Sequence, residues 1–234
     1  MHKVYIYKGF ERFWHWSQAS LIIFLAVTGF EVHGAFNVFG FEKAAEFHRT
    51  ASWLLIGLIV LSIFWHVTTG EWRQYIPTTK YLKEQILYYL SGIFKGEHHP
   101  TDKTELSKLN PLQRIVYLGF KLVLIPMTII SGILYMLYKT IDQNNLIVVE
   151  DYPLASIAFW HTMGAILLMI FLVVHVYMTT TGKTPTSNIK AMITGFEEFE
   201  EEDKYQKLRD LILEKNCPTI IYVSRTRKAY MLAE

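Results

Sequence analysis

The 234-residue chain has a single cysteine, Cys217. Iron–sulfur clusters, structural zinc sites and covalently attached c-type haem all need several thiols or a thiol pair at short spacing, so none can be built from this chain alone. An intrachain disulfide is excluded for the same reason, and thiol usage says nothing about redox compartment. Charge is also sparse. Only 19% of residues are Asp, Glu, Lys or Arg, and the formal net charge is +2, which argues against a nucleic-acid-binding surface. Against these shortages, 51% of residues are hydrophobic and nine are histidine. Mean hydropathy is only +0.20, so the apolar residues must be bunched.

They fall into four blocks. Phe13 to Phe30, Thr50 to Gly70 and Tyr152 to Gly182 contain no Asp, Glu, Lys or Arg, and Ile115 to Tyr138 is interrupted only by Lys121. A helix needs about 20 residues to cross roughly 30 Å of hydrocarbon, so an all-α bundle of four transmembrane helices is expected. The first block follows Lys3, Lys8 and Arg12 as a signal peptide would, but no small-residue cleavage site follows it, and it reads as a retained helix.

Lys and Arg near the ends of the spans set the orientation. Residues 1–12, 70–114 and 183–190 hold three, seven and two of them, whereas the alternate face has only Lys43, Arg49 and Lys139. Twelve against three predicts both termini in the cytoplasm. The six tryptophans lie towards span ends, as an interfacial belt does. Between the second and third blocks, Leu82, Ile86, Leu87 and Leu90 recur at helical spacing and predict an amphipathic helix on the membrane surface. Asn110-Pro111 marks the start of the third span, with proline in the first turn, where its missing N–H does no harm.

Ionisable groups inside a span are costly and point to function. His161 and His175 lie fourteen residues apart on the fourth span, which puts them about 21 Å apart along the axis and within about 40° of one face. One metal ion cannot take both. Two centres at two depths fit, each completed by a histidine at equal depth on another helix. From the alternating helix directions, His15 is level with His175, and His48 with His161. His33 and His66 each lie eighteen residues, about 27 Å, beyond His15 and His48 and share their faces; they fall in displaced positions, as interfacial hydrogen-bonding residues. His2, His98 and His99 lie in soluble segments.

At this point the residues resemble the di-haem cytochrome b subunits that anchor formate dehydrogenase-N, nickel–iron hydrogenase and thiosulfate reductase complexes. The likeness runs from about Phe10 to Gly195. It rests on Glu11-Arg12-Phe13-Trp14-His15-Trp16, Phe47-His48-Arg49, Leu109-Asn110-Pro111-Leu112-Gln113, Trp160-His161 and Val174-His175-Val176-Tyr177-Met178. The resemblance implies two haem b groups, the outer held by His48 and His161 and the inner by His15 and His175. It also implies a quinone pocket beside the inner haem that includes Asn110 and Gln113, with menaquinone or ubiquinone as substrate. The two amides supply the donors and acceptors a quinone carbonyl needs, and the alternative for them is helix capping. His66 is a candidate to assist quinone protonation or contact a haem propionate. Arg12, Arg49, Arg73, Arg114 and Lys121 lie near span ends, where they can pair with propionates, although interfacial anchoring suits most of them.

The expected activity is electron transfer between an outer-face partner, an iron–sulfur subunit or a multihaem cytochrome, and the quinone pool. The chain is then a subunit of a respiratory complex in a bacterial or archaeal cytoplasmic membrane rather than a stand-alone enzyme. Its rivals are a di-haem conduit without a quinone site and a haem-free anchor whose histidines relay protons. Residues 196–234 are expected to be a separate acidic linker and short α/β tail. Cys217 to Ala229 in that tail resembles a strand and helix of the second lobe of RecQ-type DNA helicases, but the stretch holds no catalytic motif and is too short to bury a core, so it implies no helicase activity, and a partner-docking tail or a fusion remnant is the simpler reading.

Overall fold

A computed structural model describes residues 2–97, 99–101, 108–143, 153–182 and 184–199. The tail from residue 200 onward, including Cys217, lies outside the described residues, as does His98. The helices are α1 (Gly9–Val32), α2 (Phe41–Thr69), α3 (Leu82–Leu90), α4 (Pro111–Gly119), α5 (Ile125–Gln143), α6 (Leu154–Thr179) and α7 (Ser187–Thr194), and strands β1 (His2–Tyr5) and β2 (Phe196–Phe199) lie near the two ends of the described residues. Four helices are long and apolar enough to cross a membrane: Gly9–Val32, Phe41–Thr69, Pro111–Tyr138 and Leu154–Thr179. The protein is a multi-pass membrane bundle of the expected all-α class. Helix α3 covers Leu82–Leu90, the stretch predicted to be helical between the second and third spans.

The third span is α4 and α5 joined by a π-helical turn, Phe120–Leu124. Pro126 follows that turn directly. Proline lacks the N–H for the fourth preceding carbonyl and its ring collides with it, and a wider turn relieves that collision without ending the helix. Lys121 sits in this turn.

The spans form two hairpins, α1 packed along α2 and α5 along α6, and among the described residues no spanning helix of one hairpin packs comparably on the other. A loop of eight residues joins α1 to α2. Its geometry is set by Glu31, which is 4% exposed. One carboxylate oxygen of Glu31 accepts the amides of Val38, Phe39 and Gly40 at 2.9, 2.6 and 2.7 Å. Charge-assisted bonds of this kind are about twice as strong as neutral ones. This carboxylate was not singled out in the sequence, because nothing in its spacing shows that a loop folds back over it.

At the opposite end the chain closes on itself. β1 pairs antiparallel with β2, Tyr5 opposite Phe196 and Val4 opposite Glu197, so both strands share one side of the bundle. Gly195 makes the turn between α7 and β2 at φ +89°, and a side chain there would meet the Tyr7 carbonyl at 2.8 Å. Its own carbonyl accepts the amides of Ile6 and Tyr7. Arg12 Nη1 donates to the Ile193 carbonyl at 2.7 Å and Trp16 Nε1 to the Met192 carbonyl at 3.2 Å, fixing α7 to α1. The folded unit thus reaches Phe199, and the first four residues of the expected tail are a strand rather than linker. We call this the sheet end and the other the loop end.

Replacing Glu31 by alanine leaves three loop amides without their acceptor; the expected cost is about 2–4 kcal/mol, read as a lower thermal midpoint in detergent, with Glu31→Gln losing less.

Candidate functional site

The histidines predicted to share depths meet. At the loop end the rings of His48 and His161 have centroids 6.2 Å apart, and at the sheet end those of His15 and His175 are also 6.2 Å apart. Each pair bridges the two hairpins: α2 to α6 at the loop end, α1 to α6 at the sheet end. Two metal–nitrogen bonds of about 2 Å with two ring half-widths of about 1.1 Å span this distance, so each pair has the spacing of two imidazoles on opposite sides of one iron.

At the loop end each ring is seated on the other helix of its own hairpin. His48 Nδ1 lies 3.1 Å from Thr28 Oγ1, whose hydroxyl donates to the Phe24 carbonyl at 2.9 Å. His161 Nδ1 lies 3.1 Å from the Thr128 carbonyl, an acceptor only. This network assigns the proton to Nδ1 in both rings and leaves the Nε2 lone pair free, which is the state a metal ligand needs. Two glycines make room for the rings. A Cβ on Gly132 would lie 2.9 Å from His161 Cε1, and one on Gly29 would lie 3.2 Å from His48 Cε1.

At the sheet end aromatics do the seating. Phe171 stacks on His175 at 5.7 Å and 8°, and Phe120 stacks on Phe171 at 4.3 Å. The Tyr117 hydroxyl lies 3.4 Å from His175 Nδ1. His15 Nδ1 is buried with no hydrogen-bond partner. Among the described residues no group of three or more His, Cys, Asp or Glu could hold a bare ion. Two facing pairs, rather than a cage, suit a haem whose macrocycle supplies the other four nitrogens.

The remaining candidates are placed as follows. His33 caps α1 at the loop end and is exposed. His66 is buried, and both its ring nitrogens are occupied: Nδ1 donates to the Ser62 carbonyl at 2.6 Å, and Nε2 accepts from the Tyr75 hydroxyl at 3.3 Å. It is therefore in no position to ligate iron, and it contacts Trp14 edge-on at 5.4 Å. Asn110 and Gln113 form a reciprocal capping box: Asn110 Oδ1 accepts the Gln113 amide at 2.8 Å and Gln113 Oε1 the Asn110 amide at 3.1 Å. Asn110 Nδ2 donates to Tyr89 at 2.9 Å. Exposed His99 packs on Tyr88 and hydrogen-bonds Gln85.

A network of charged and aromatic side chains lies at the sheet end, next to the His15–His175 pair through Trp14. Lys108 Nζ binds both Glu11 oxygens at 2.6 and 2.8 Å and Glu71 at 3.3 Å, and Lys8 Nζ binds Glu71 at 2.6 Å. Burial pushes the Glu71 carboxyl up, but Lys8 and Lys108 outweigh it and hold the group below its ordinary range. Burial, reinforced by the Glu11 carboxylate, pushes the Tyr75 phenol well up, so it keeps its proton for His66. Lys121 lies 3.5 Å from the Tyr75 ring centroid and 5.0 Å from that of Trp14. Trp14 is thus part of the site and not only of the interfacial belt. Of these residues Lys121 carried a sequence signal as the one charge in an apolar block, and Glu11 and Trp14 stood in the motif around His15.

Gly132→Ala should tilt His161 off its seat and lower the haem bound per chain, whereas Gly57→Ala, which faces open space, should leave it unchanged; a pyridine haemochrome assay reads the difference.

Comparison with known proteins agrees with this arrangement. Residues 6–195 match the family model for prokaryotic cytochrome b561. Cytochrome YdhU of Escherichia coli K12 is 28% identical over 203 residues, covering 83% of this chain and 74% of that protein. A protein of Bradyrhizobium diazoefficiens described as a probable Ni/Fe-hydrogenase B-type cytochrome subunit is 28% identical over 218 residues, 85% of this chain and 87% of its own. One from Rhizobium leguminosarum with the same description is 26% identical over 224 residues, 86% and 91%. No solved structure matches. With four apolar spans and with four-fifths of the chain matched, the protein belongs to the prokaryotic cytochrome b561 family, as a multi-pass bacterial membrane cytochrome b.

Proposed function

We propose that the chain holds two b-type haems, one between His48 and His161 and one between His15 and His175, and passes electrons between a partner at the loop end and quinone at the sheet end. The observation that carries this reading is the pair of 6.2 Å ring separations, each joining the two hairpins. Haem supplies a one-electron carrier at each level when bound. The protein's contribution is to fix ring tautomer, spacing and depth.

The excess of Lys and Arg in the sheet-end segments assigns that end to the cytoplasm, where protons for quinone chemistry are available. The loop-end connection of residues 33–40 is too short to hold a catalytic domain, so substrate chemistry at that face belongs to a partner. Relatives described as hydrogenase cytochrome subunits support a redox-enzyme partner, and an iron–sulfur subunit or a multihaem cytochrome would supply electrons one at a time. Quinone sits beside the capping box in this reading. Asn110 Oδ1 and Nδ2 and Gln113 Oε1 are already used, which leaves the Gln113 amino group to donate to a quinone carbonyl. His66 acts through the Tyr75 hydroxyl, to which it is hydrogen-bonded.

Substituting His175 by alanine should remove one haem and retain the other, as should His161→Ala; two haems surviving either change contradicts the pairing. Gln113→Ala should slow quinol oxidation about tenfold, the value of a lost hydrogen bond of about 1.4 kcal/mol, with haem content unchanged. Normal quinol kinetics in that variant would leave a di-haem conduit without this pocket.

A further inference from the structure

The sheet-end cluster has more cations than acids. Lys8, Lys108 and Lys121 face Glu11 and Glu71, and all four carboxylate oxygens of those acids are taken by Lys8 and Lys108, with the Lys8 amide also donating to Glu11 at 2.7 Å. Lys121 receives none of them. Among the described residues its ammonium makes no hydrogen bond or ion pair, and it rests on two aromatic rings. Beside it, among the described residues, Trp14 Nε1 is buried with no acceptor, and so is Arg12 Nε. Neighbouring His66 and Tyr75 do not meet the need, since Tyr75 donates to His66 and His66 donates to a backbone carbonyl. Arg12 turns away to the Ile193 carbonyl, and Arg114 to the carbonyls of Leu109 and Ile76.

An ammonium and an indole N–H are donors only; Lys121 is half-buried, and leaving the buried indole N–H of Trp14 unsatisfied is costly. The site is short of one anion with acceptor oxygens. It adjoins the His15–His175 pair by two routes: Trp14 precedes His15 in α1, and Lys121 follows by one helical turn Tyr117, which touches His175.

We propose that Lys121 and Trp14 bind a carboxylate, and that this carboxylate is a propionate of the haem held by His15 and His175. The proposal rests on the two-haem reading. It assigns Lys121 a positioning and electrostatic role rather than membrane anchoring, and it explains why the one charge within the four apolar blocks occupies the π-helical turn facing α1. A positive charge beside the propionate favours the reduced haem, because reduction adds a negative charge near it.

Potentiometric titration of the full-length protein tests this. The wild type should show two haem components; absence of haem would overturn the two-haem reading itself, before any substitution is made. Lys121→Met should keep both haems and shift one midpoint to lower potential while the other stays in place, and Lys121→Arg should restore it. Trp14→Phe keeps the ring and removes the N–H; it should shift the same component less far, and it remains readable if Lys121→Met fails to assemble. Both midpoints unchanged in Trp14→Phe and in whichever Lys121 variant assembles would overturn the proposal. So would unchanged midpoints with impaired quinol kinetics, which would make the bound oxygen a quinone carbonyl.

Discussion

The fold depends on keeping two helical hairpins apart by a set distance. Membrane bundles ordinarily gain by close packing of small residues between helices, yet here α1 and α2 pack together, α5 and α6 pack together, and facing histidine rings bridge the hairpins at two depths. The gap is the width of two imidazoles and the iron they would share. Everything near it serves that width. Gly29 and Gly132 lie behind the loop-end rings, Thr28 and Thr128 orient them, and Phe171 and Tyr117 back the ring of His175. A gap of this kind does not stabilise itself, since apolar surface facing it gains little without a macrocycle between the hairpins. The ends must therefore be tied: Glu31 fastens the loop end, while the β1–β2 pair, α7 and the Lys108–Glu11–Glu71 cluster fasten the sheet end.

The two levels are built differently. At the loop end, backbone and hydroxyl groups fix the tautomers, and among the described residues no ionised side chain hydrogen-bonds the histidines. At the sheet end a network of lysines, acids, Tyr75 and His66 adjoins the pair. That asymmetry matches the division of labour proposed, with electron entry or exit alone at one face and proton-coupled chemistry at the other. Moving a unit charge across the whole membrane is worth about 2.3 kcal/mol per 100 mV, and the two histidines of α6, about 21 Å apart, divide that drop between two shorter steps.

Much of this was legible in the order of residues. Period and length gave the four spans and α3, and fourteen-residue spacing with alternating helix direction gave both pairs, because helical rise is a fixed ruler. The pairing of β1 with β2 was hidden: four-residue strands at opposite ends of a chain carry no shared local signal. Trp14 reads as one of a belt of six tryptophans until Lys121 is seen over it. Tyr75 and Lys108 lie in a connecting segment whose folding is set by contacts up to 97 residues away. Asn110 and Gln113 illustrate the opposite case: helix capping, the alternative their local spacing offered to a quinone contact, is present as a reciprocal capping box.

The central claim is that each facing pair completes one iron. Haem content and electron paramagnetic resonance of the purified, oxidised protein test it most directly. The account predicts two haem b per chain, both six-coordinate and low-spin, with one signal lost in His175→Ala and the other in His161→Ala. A single haem per chain, or a high-spin five-coordinate centre in the wild type, would contradict it.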